Sequence, residues 1–349
     1  MIFLSCSKDK AEPETIAENY VCHIQAVQNN YSRIQLIQSF DENIIQGIAS
    51  KNVPDTNGAM SRNRDGYFHV RFQMGISLQA DLAVYNENTQ ALEYAIKSIE
   101  YAFQHQTSNG DFLFVVPPDL SGETPNKADL ASGVSFFLSS LGLALNTLDQ
   151  SNWYNSQSMS GYKNRIEILR PNIESAALWL LTKDQILEMA DENAPNRLLF
   201  NALAFYSLGR WLDNSELKAT GINFANNAIS KKHPDGYFLE ANGWDSSYQG
   251  VGIHVGFNLY TSLPDTEILQ TALWDCLSCA TDWQKSRVLA SGEISTQGNI
   301  RVYPGGEEFL GNEKRVAWVD TMTGFFVMAY LTNDSSYSAK ANEIKEFYD

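Results

Sequence analysis

Basic residues are scarce in this chain. Against 41 Asp and Glu there are only 25 Lys and Arg among 349 residues, giving a net charge of −16 and a pI near 4.7. Such a surface repels a phosphate backbone, which excludes a general nucleic-acid binder. An anionic substrate would meet the same field, so its site has to gather the few cations locally. Charged residues are sparse overall, at 19%, whereas hydrophobic residues reach 44% and aromatics 12%, enough for a packed core and too many for disorder over the bulk of the chain. Long apolar runs are missing too. None approaches the roughly 18 to 20 residues of a membrane span, so no segment is expected to cross a bilayer. Strand-like alternation is nearly absent, and no His cluster or second cysteine pair is spaced to complete a zinc site. Neither a metal nor a cofactor is expected.

The chain has 4 cysteines. Phe3-Leu4-Ser5-Cys6, followed by Ser7-Lys8-Asp9-Lys10, resembles the end of a bacterial lipoprotein signal, with Cys6 as the lipidated residue; the alternative is an ordinary N-terminus with a chance cysteine. The resemblance implies a periplasmic or cell-surface protein that meets the membrane only through a lipid anchor. Residues 1–15 would be signal remnant and tether, and 16–349 a single domain. Cys276 and Cys279 fall inside Thr266 to Leu289, where Leu269, Ala272, Leu273, Cys276, Ala280 and Trp283 recur at helical spacing, so both read as buried core thiols.

Periodicity predicts twelve helices: Glu14 to Asn29, Tyr31 to Ser50, Phe72 to Asn86, Thr89 to Gln106, Leu130 to Asp149, Arg165 to Leu181, Arg197 to Asp213, Ser215 to Ser230, Tyr248 to Ser262, Thr266 to Leu289, Thr321 to Leu331 and Ser336 to Phe347. Asp65-Gly66-Tyr67-Phe68 and Asp235-Gly236-Tyr237-Phe238 read as two copies of one turn, with Asn109-Gly110-Asp111-Phe112 a looser third. Helix starts carrying Gly75, Gly133, Gly250 and Gly324 allow close helix approach. Six helical hairpins with long loops on one side predict an all-α fold, an (α/α)6 toroid with a complete or incomplete ring; an open helical array is the alternative. Helices apolar nearly all round, Phe72 to Tyr85 and Val251 to Tyr260, would form the inner ring.

Candidate chemistry lies in the loops. Asn196 and Arg197 stand at a helix mouth, where Asn196 reads equally well as the N-cap. One loop before the next inner helix brings together Trp244, Asp245 and Tyr248, and aromatics interleaved with carboxylates and glycines suit a sugar; the alternative is a capping Asp with a structural Trp. A third loop holds Asn299, Arg301 and Tyr303. Arg62, Arg64, His69 and Arg71 form the densest basic patch.

The order of these parts resembles the helical domain of the polysaccharide lyases that act on hyaluronate and chondroitin. Gln73-Met74-Gly75 sits where that family's first helix start would be, and Asn196 falls on its catalytic Asn. Gly236-Tyr237-Phe238 with Tyr248-Gln249-Gly250 matches its third loop, and Gly292-Glu293-Ile294 its fourth, putting Arg301 on the second Arg. Three positions depart from it: Ser246 or a gap stands at the catalytic His, Gly252 at the catalytic Tyr and Asn299 at the first Arg. The resemblance implies β-elimination on a uronate-containing polysaccharide or oligosaccharide. Asn196, with Arg197 or Arg301, would neutralise the uronate carboxylate; Tyr248 would serve as base and acid, with His254 or His69 as substitutes; Trp244 and Tyr67 would stack on the sugar. Two alternatives stand beside it. Toroids also host glycoside hydrolases, for which Asp235, Glu240 and Asp245 in one loop, and Asp129 and Asp320 at other inner helices, offer carboxylates. The other is a glycan-binding lipoprotein without turnover.

Overall fold

The computed structural model describes residues 22, 24–26, 32–115, 126–264, 267–309 and 312–349. Cys6, the 1–15 tether and most of the helix expected over Glu14 to Asn29 lie outside the described residues; positions 22 and 24–26 carry no helix.

Thirteen α-helices are present among the described residues: α1 (Arg33–Gln38), α2 (Glu42–Ser50), α3 (Ile76–Tyr85), α4 (Thr89–Gln104), α5 (Lys127–Asp149), α6 (Ser160–Leu181), α7 (Asp184–Asp191), α8 (Pro195–Trp211), α9 (Ser215–Ser230), α10 (Ser246–Tyr260), α11 (Ile268–Ser286), α12 (Trp318–Thr332) and α13 (Ser335–Tyr348). One two-stranded ribbon, β1 (Glu308–Phe309) with β2 (Asn312–Glu313), completes the regular structure. The expected helix over Tyr31 to Ser50 is broken, because the Asp41 carboxylate caps α2 by accepting from Asn43 N at 2.8 Å. The helix expected from Phe72 begins as a 3₁₀ turn, Val70–Gln73. Helix α7 was not foreseen.

Helices α3, α5, α8, α10 and α12 pack side by side in that order as an inner ring, with α4, α6, α9, α11 and α13 outside. Among the inner helices α5, α8 and α10 bury most of their residues and α3 and α12 about half; in α5 an unbroken run from Ala131 to Leu148 is buried. Each fully enclosed Leu or Phe, such as Leu141 or Phe137, stabilises the ring by roughly 1.5 to 3 kcal/mol. Helix α5 is long and apolar enough by composition to cross a membrane, contrary to the expectation that no such stretch exists, but it is buried inside the ring. Glycines set the tightest approach: a Cβ on Gly250 would strike Thr321, and one on Gly324 would strike Ile253, so α10 and α12 meet closely at both.

The repeated turn is real, but its register differs from the sequence reading. Gly58, Gly110, Gly236 and Gly292 follow α2, α4, α9 and α11, all with positive φ. At each, a Cβ would meet a backbone carbonyl of the next outer helix: Lys97, Ser175, Cys279 and Glu343. Only glycine permits that φ together with that contact. Gly66, taken as the first copy, has open space around it; the equivalent turn is the one around Gly58.

The sixth hairpin is abbreviated. Short α1 crosses the end of the ring away from the loops, where Arg33 bonds Thr147 of α5 and Asn258 of α10. Helix α2 then packs along α3, while Phe40 just before it lies edge-on to Phe326 of α12 at 5.6 Å and Lys51 just after it pairs with Asp349 at 3.0 Å. The approach to α1 is fastened by a disulfide between Cys22 and Cys279, and by Trp274 Nε1 donating to the Ile24 carbonyl at 2.8 Å. Cys276 is a buried thiol, as expected; Cys279 is not. Its partner lies 257 residues away, a pairing that spacing within one helix could not reveal.

Candidate functional site

The loops at the N-terminal ends of the inner helices assemble around one carboxylate. Asp245, 1% exposed, caps α10 by accepting from Ser247 N and Tyr248 N at 3.0 and 3.1 Å. Its second oxygen accepts from Arg301 N and Val302 N at 3.0 and 2.7 Å. Burial raises this carboxyl and the four backbone N–H groups oppose it, so its bonding capacity is spent on structure. Asn299 works alongside: its Oδ1 accepts from Ser246 N at 2.9 Å and its Nδ2 donates to Ser246 Oγ and the Val302 carbonyl. Asp245 is thus the helix cap of the alternative reading, and neither it nor Asn299 is left to bind substrate, against the substrate-binding reading of both. Their task is to hold the Arg301 guanidinium 4.3 Å from the Tyr248 ring.

Around that pair the charges form a network. Arg301 Nη1 meets Glu240 Oε1 at 2.6 Å and Nη2 meets Glu307 Oε1 at 3.1 Å. Tyr248 donates its hydroxyl to Glu307 Oε2 at 2.7 Å, and the Lys314 ammonium donates to the same hydroxyl while sitting 4.2 Å from the ring. Glu240 is 3% exposed, and burial pushes it up to about 7 against the pull of Arg301. Glu307 is also raised by burial, but the Tyr248 hydrogen bond, Lys314 and Arg301 outweigh that and hold it below the usual carboxylate range. The Tyr248 phenol is driven well above its ordinary value by burial and by Glu307. Arg71, set 4.4 Å over Phe136, is coupled to this network through Arg197, Tyr248 and Glu307; burial and Arg197 bring it down to about 10.

The other expected residues divide. Arg197 pairs with Asp191 at 3.3 Å and is coupled to Arg71 and Glu240, so it belongs to the cluster. Asn196 is not the N-cap: Ala194 holds that position and Pro195 opens the helix, leaving Asn196 in the first turn with its Oδ1 buried and unpartnered. It packs near Gly252, one turn below Tyr248 on α10. His69 is half-buried, and desolvation together with the neighbouring Arg71 brings it down to about 4, so it is neutral at pH 7. Tyr67 is 6% exposed and packs edge-on to Phe72, so it presents no face for stacking, while Trp244 is half-buried against Tyr237 and Trp283. His254 faces a different cavity, with Asp320 at 2.7 Å. Arg64 donates to the Val53 carbonyl, and neither it nor Arg62 enters the cluster. Glu307 and Lys314 were missed; the signal was the charge density of Glu307 to Arg315 after two glycines. Among the described residues, no group of three or more His, Cys, Asp and Glu is placed to hold a metal ion.

Ring, closing hairpin and loop-end cluster define an (α/α)6 toroid whose sixth hairpin is shortened. Solved structures of that fold align with nearly the whole chain. A UGL variant with dGlcA-Glc-Rha-Glc matches with a TM-score of 0.53 at 13% identity, covering 90% of this chain and 91% of that one. D-mannose isomerase matches at 0.53 and 12%, covering 90% and 86%. The unsaturated glucuronyl hydrolase responsible for degradation of glycosaminoglycan, from Bacillus sp. GL1, matches at 0.50 and 12%, covering 90% and 91%. No family model matches the chain, and no curated protein does.

Proposed function

We propose that the protein is a carbohydrate-processing enzyme that hydrolyses an oligosaccharide bearing a uronate, using Glu240 and Glu307 as the acid–base pair. The observation that carries this reading is the sharing of Arg301 by two carboxylates whose proton affinities are pushed apart, Glu240 up to about 7 and Glu307 below its ordinary range. Contacts of 2.6 and 3.1 Å to the two ends of one guanidinium keep the contacting oxygens within roughly 8 Å, inside the span of glycosidase carboxylate pairs. Glu240, protonated near neutral pH, donates to the glycosidic oxygen as the bond breaks. Glu307, ionised, takes the proton of the attacking water or attacks the sugar carbon itself. Arg71, Arg197 and Lys314 supply the positive field for the uronate carboxylate that the overall charge of −16 withholds elsewhere. Two of the three fold neighbours above are a UGL variant and a glucuronyl hydrolase, and the third handles mannose, in keeping with sugar chemistry on this scaffold.

β-Elimination is the second reading, favoured by the unpartnered Asn196 Oδ1 and by Tyr248 lying against two cations. Two facts weigh against it: the raised Tyr248 phenol makes a poor base, and the charge of Arg301 is already matched by Glu240 and Glu307. Incubation with saturated and unsaturated uronate oligosaccharides separates the two. Hydrolysis releases reducing ends with no new conjugated double bond, and on an unsaturated substrate the absorbance falls; elimination makes it rise. No release from any uronate or neutral oligosaccharide would leave glycan binding without turnover.

An extracytoplasmic location, by way of a lipid on Cys6, is part of the same proposal. The Cys22–Cys279 disulfide supports it, since such bonds persist in oxidising compartments. Palmitate labelling that survives Cys6→Ser would refute the anchor.

A further inference from the structure

We propose that the shortened sixth hairpin leaves a second binding site, separate from the loop-end cluster, that takes a single neutral sugar ring. A full sixth inner helix would run between α12 and α3; only α1 occupies that position, at its far end, and a cavity of about 320 Å³ remains above it. That volume is at the low end for small-molecule sites, the scale of one ring rather than a chain. The lining is mixed in chemistry: Leu36, Phe40, Ile48 and Val319 are apolar, while Ser77, Asp81, His254, Asn258 and Asp320 are polar. A pyranose has the matching character, an apolar face with a hydroxyl edge.

The polar lining is pre-organised. Arg33 Nη2 meets Asp81 Oδ2 at 3.0 Å, and the rest of its guanidinium is bound to Thr147 and Asn258, so its donors are occupied within the protein. His254 Nδ1 is 2.7 Å from Asp320 Oδ1, and its other ring nitrogen has no protein partner among the described residues. Hydroxyl groups find acceptors in Asp81 and Asp320 and a tunable partner in His254. The charges explain the choice of a neutral ligand. Asp81 is answered by Arg33, Lys51 is answered by Asp349, and Asp320 faces the cavity as well, so a uronate gains nothing here. This contrasts with the cations around Tyr248, and the inference does not rest on the hydrolytic reading.

Titration calorimetry on the full chain with glucose, mannose, galactose and glucuronate tests it. At least one neutral sugar should bind in the millimolar range or tighter, and any glucuronate binding should be insensitive to the cavity variants below. Val319→Phe and Thr323→Met, which fill the cavity, and His254→Leu, which removes the free ring nitrogen without adding bulk, should each weaken binding at least about tenfold. Lys314→Ala, at the other cluster, should leave it unchanged; circular dichroism confirms that each variant used is folded. The proposal is overturned by the absence of heat with every neutral sugar, by glucuronate binding that the cavity variants weaken, or by neutral-sugar binding that is lost in Lys314→Ala or persists in the folded cavity variants.

Discussion

The loop-end cluster and the closing hairpin sit on the same ring but are held by different forces. Around Tyr248, Arg301 is shared by two carboxylates, one buried and one half-exposed, and every partner comes from a loop or a helix start. At the closing hairpin Arg33 of α1 forms a largely buried ion pair with Asp81 of α3 and bonds Thr147 and Asn258, and a disulfide fastens the segment before α1. The first arrangement can exchange partners with a ligand and shift its protons. The second ties α1 to α3, α5 and α10, and removing either charge would leave the other buried without its counter-charge.

Variants can break that contrast. Arg33→Ala strands Asp81 with side-chain exposures of 6% and 13% in the original pair, and should cost about 3 to 5 kcal/mol in urea unfolding. Cys22→Ser frees the segment before α1 and should cost about 2 to 4 kcal/mol, with added reductant having the same effect on the native protein. Arg301→Ala should cost less, roughly 1 to 3 kcal/mol near neutral pH, because its pair is partly wet. Its cost should also depend on pH. Glu240 has a folded pKa raised from 4.5 to about 7, so its stabilising contribution is complete below about 4.5 and is lost as pH rises through 7. Without Arg301 the ionised form is worse off, so the cost should be smallest at acidic pH and grow toward pH 8, as unfolding at several pH values would reveal. Lys51→Ala removes an exposed pair and should change stability by under about 1 kcal/mol.

The same contrast explains what the sequence disclosed. Helices such as α9, α4 and α11 were legible because apolar periodicity and capping asparagines act locally, as with Asn214 and Asn88. Tyr248, Arg301, Arg71 and Arg197 were legible as candidates, being polar groups in or beside aromatic and glycine-rich loops, and the fold brings them together at one end of the ring. What failed depended on distance in the chain. Nothing near Cys279 announces Cys22, and nothing near Tyr248 announces Lys314, 66 residues on. Asp245 and Asn299 looked like ligands for a sugar because the backbone N–H groups that occupy them belong to another loop.

The central claim is that Glu240 donates the proton in glycoside hydrolysis. Its direct test is the pH dependence of kcat on a uronate oligosaccharide for the wild type and Glu240→Gln. The account predicts a wild-type rate that falls as pH rises through about 7, and a variant slowed by about 10²- to 10⁴-fold with little change in KM. A wild-type profile flat across pH 7, or a variant within a few-fold of the wild type, would contradict it.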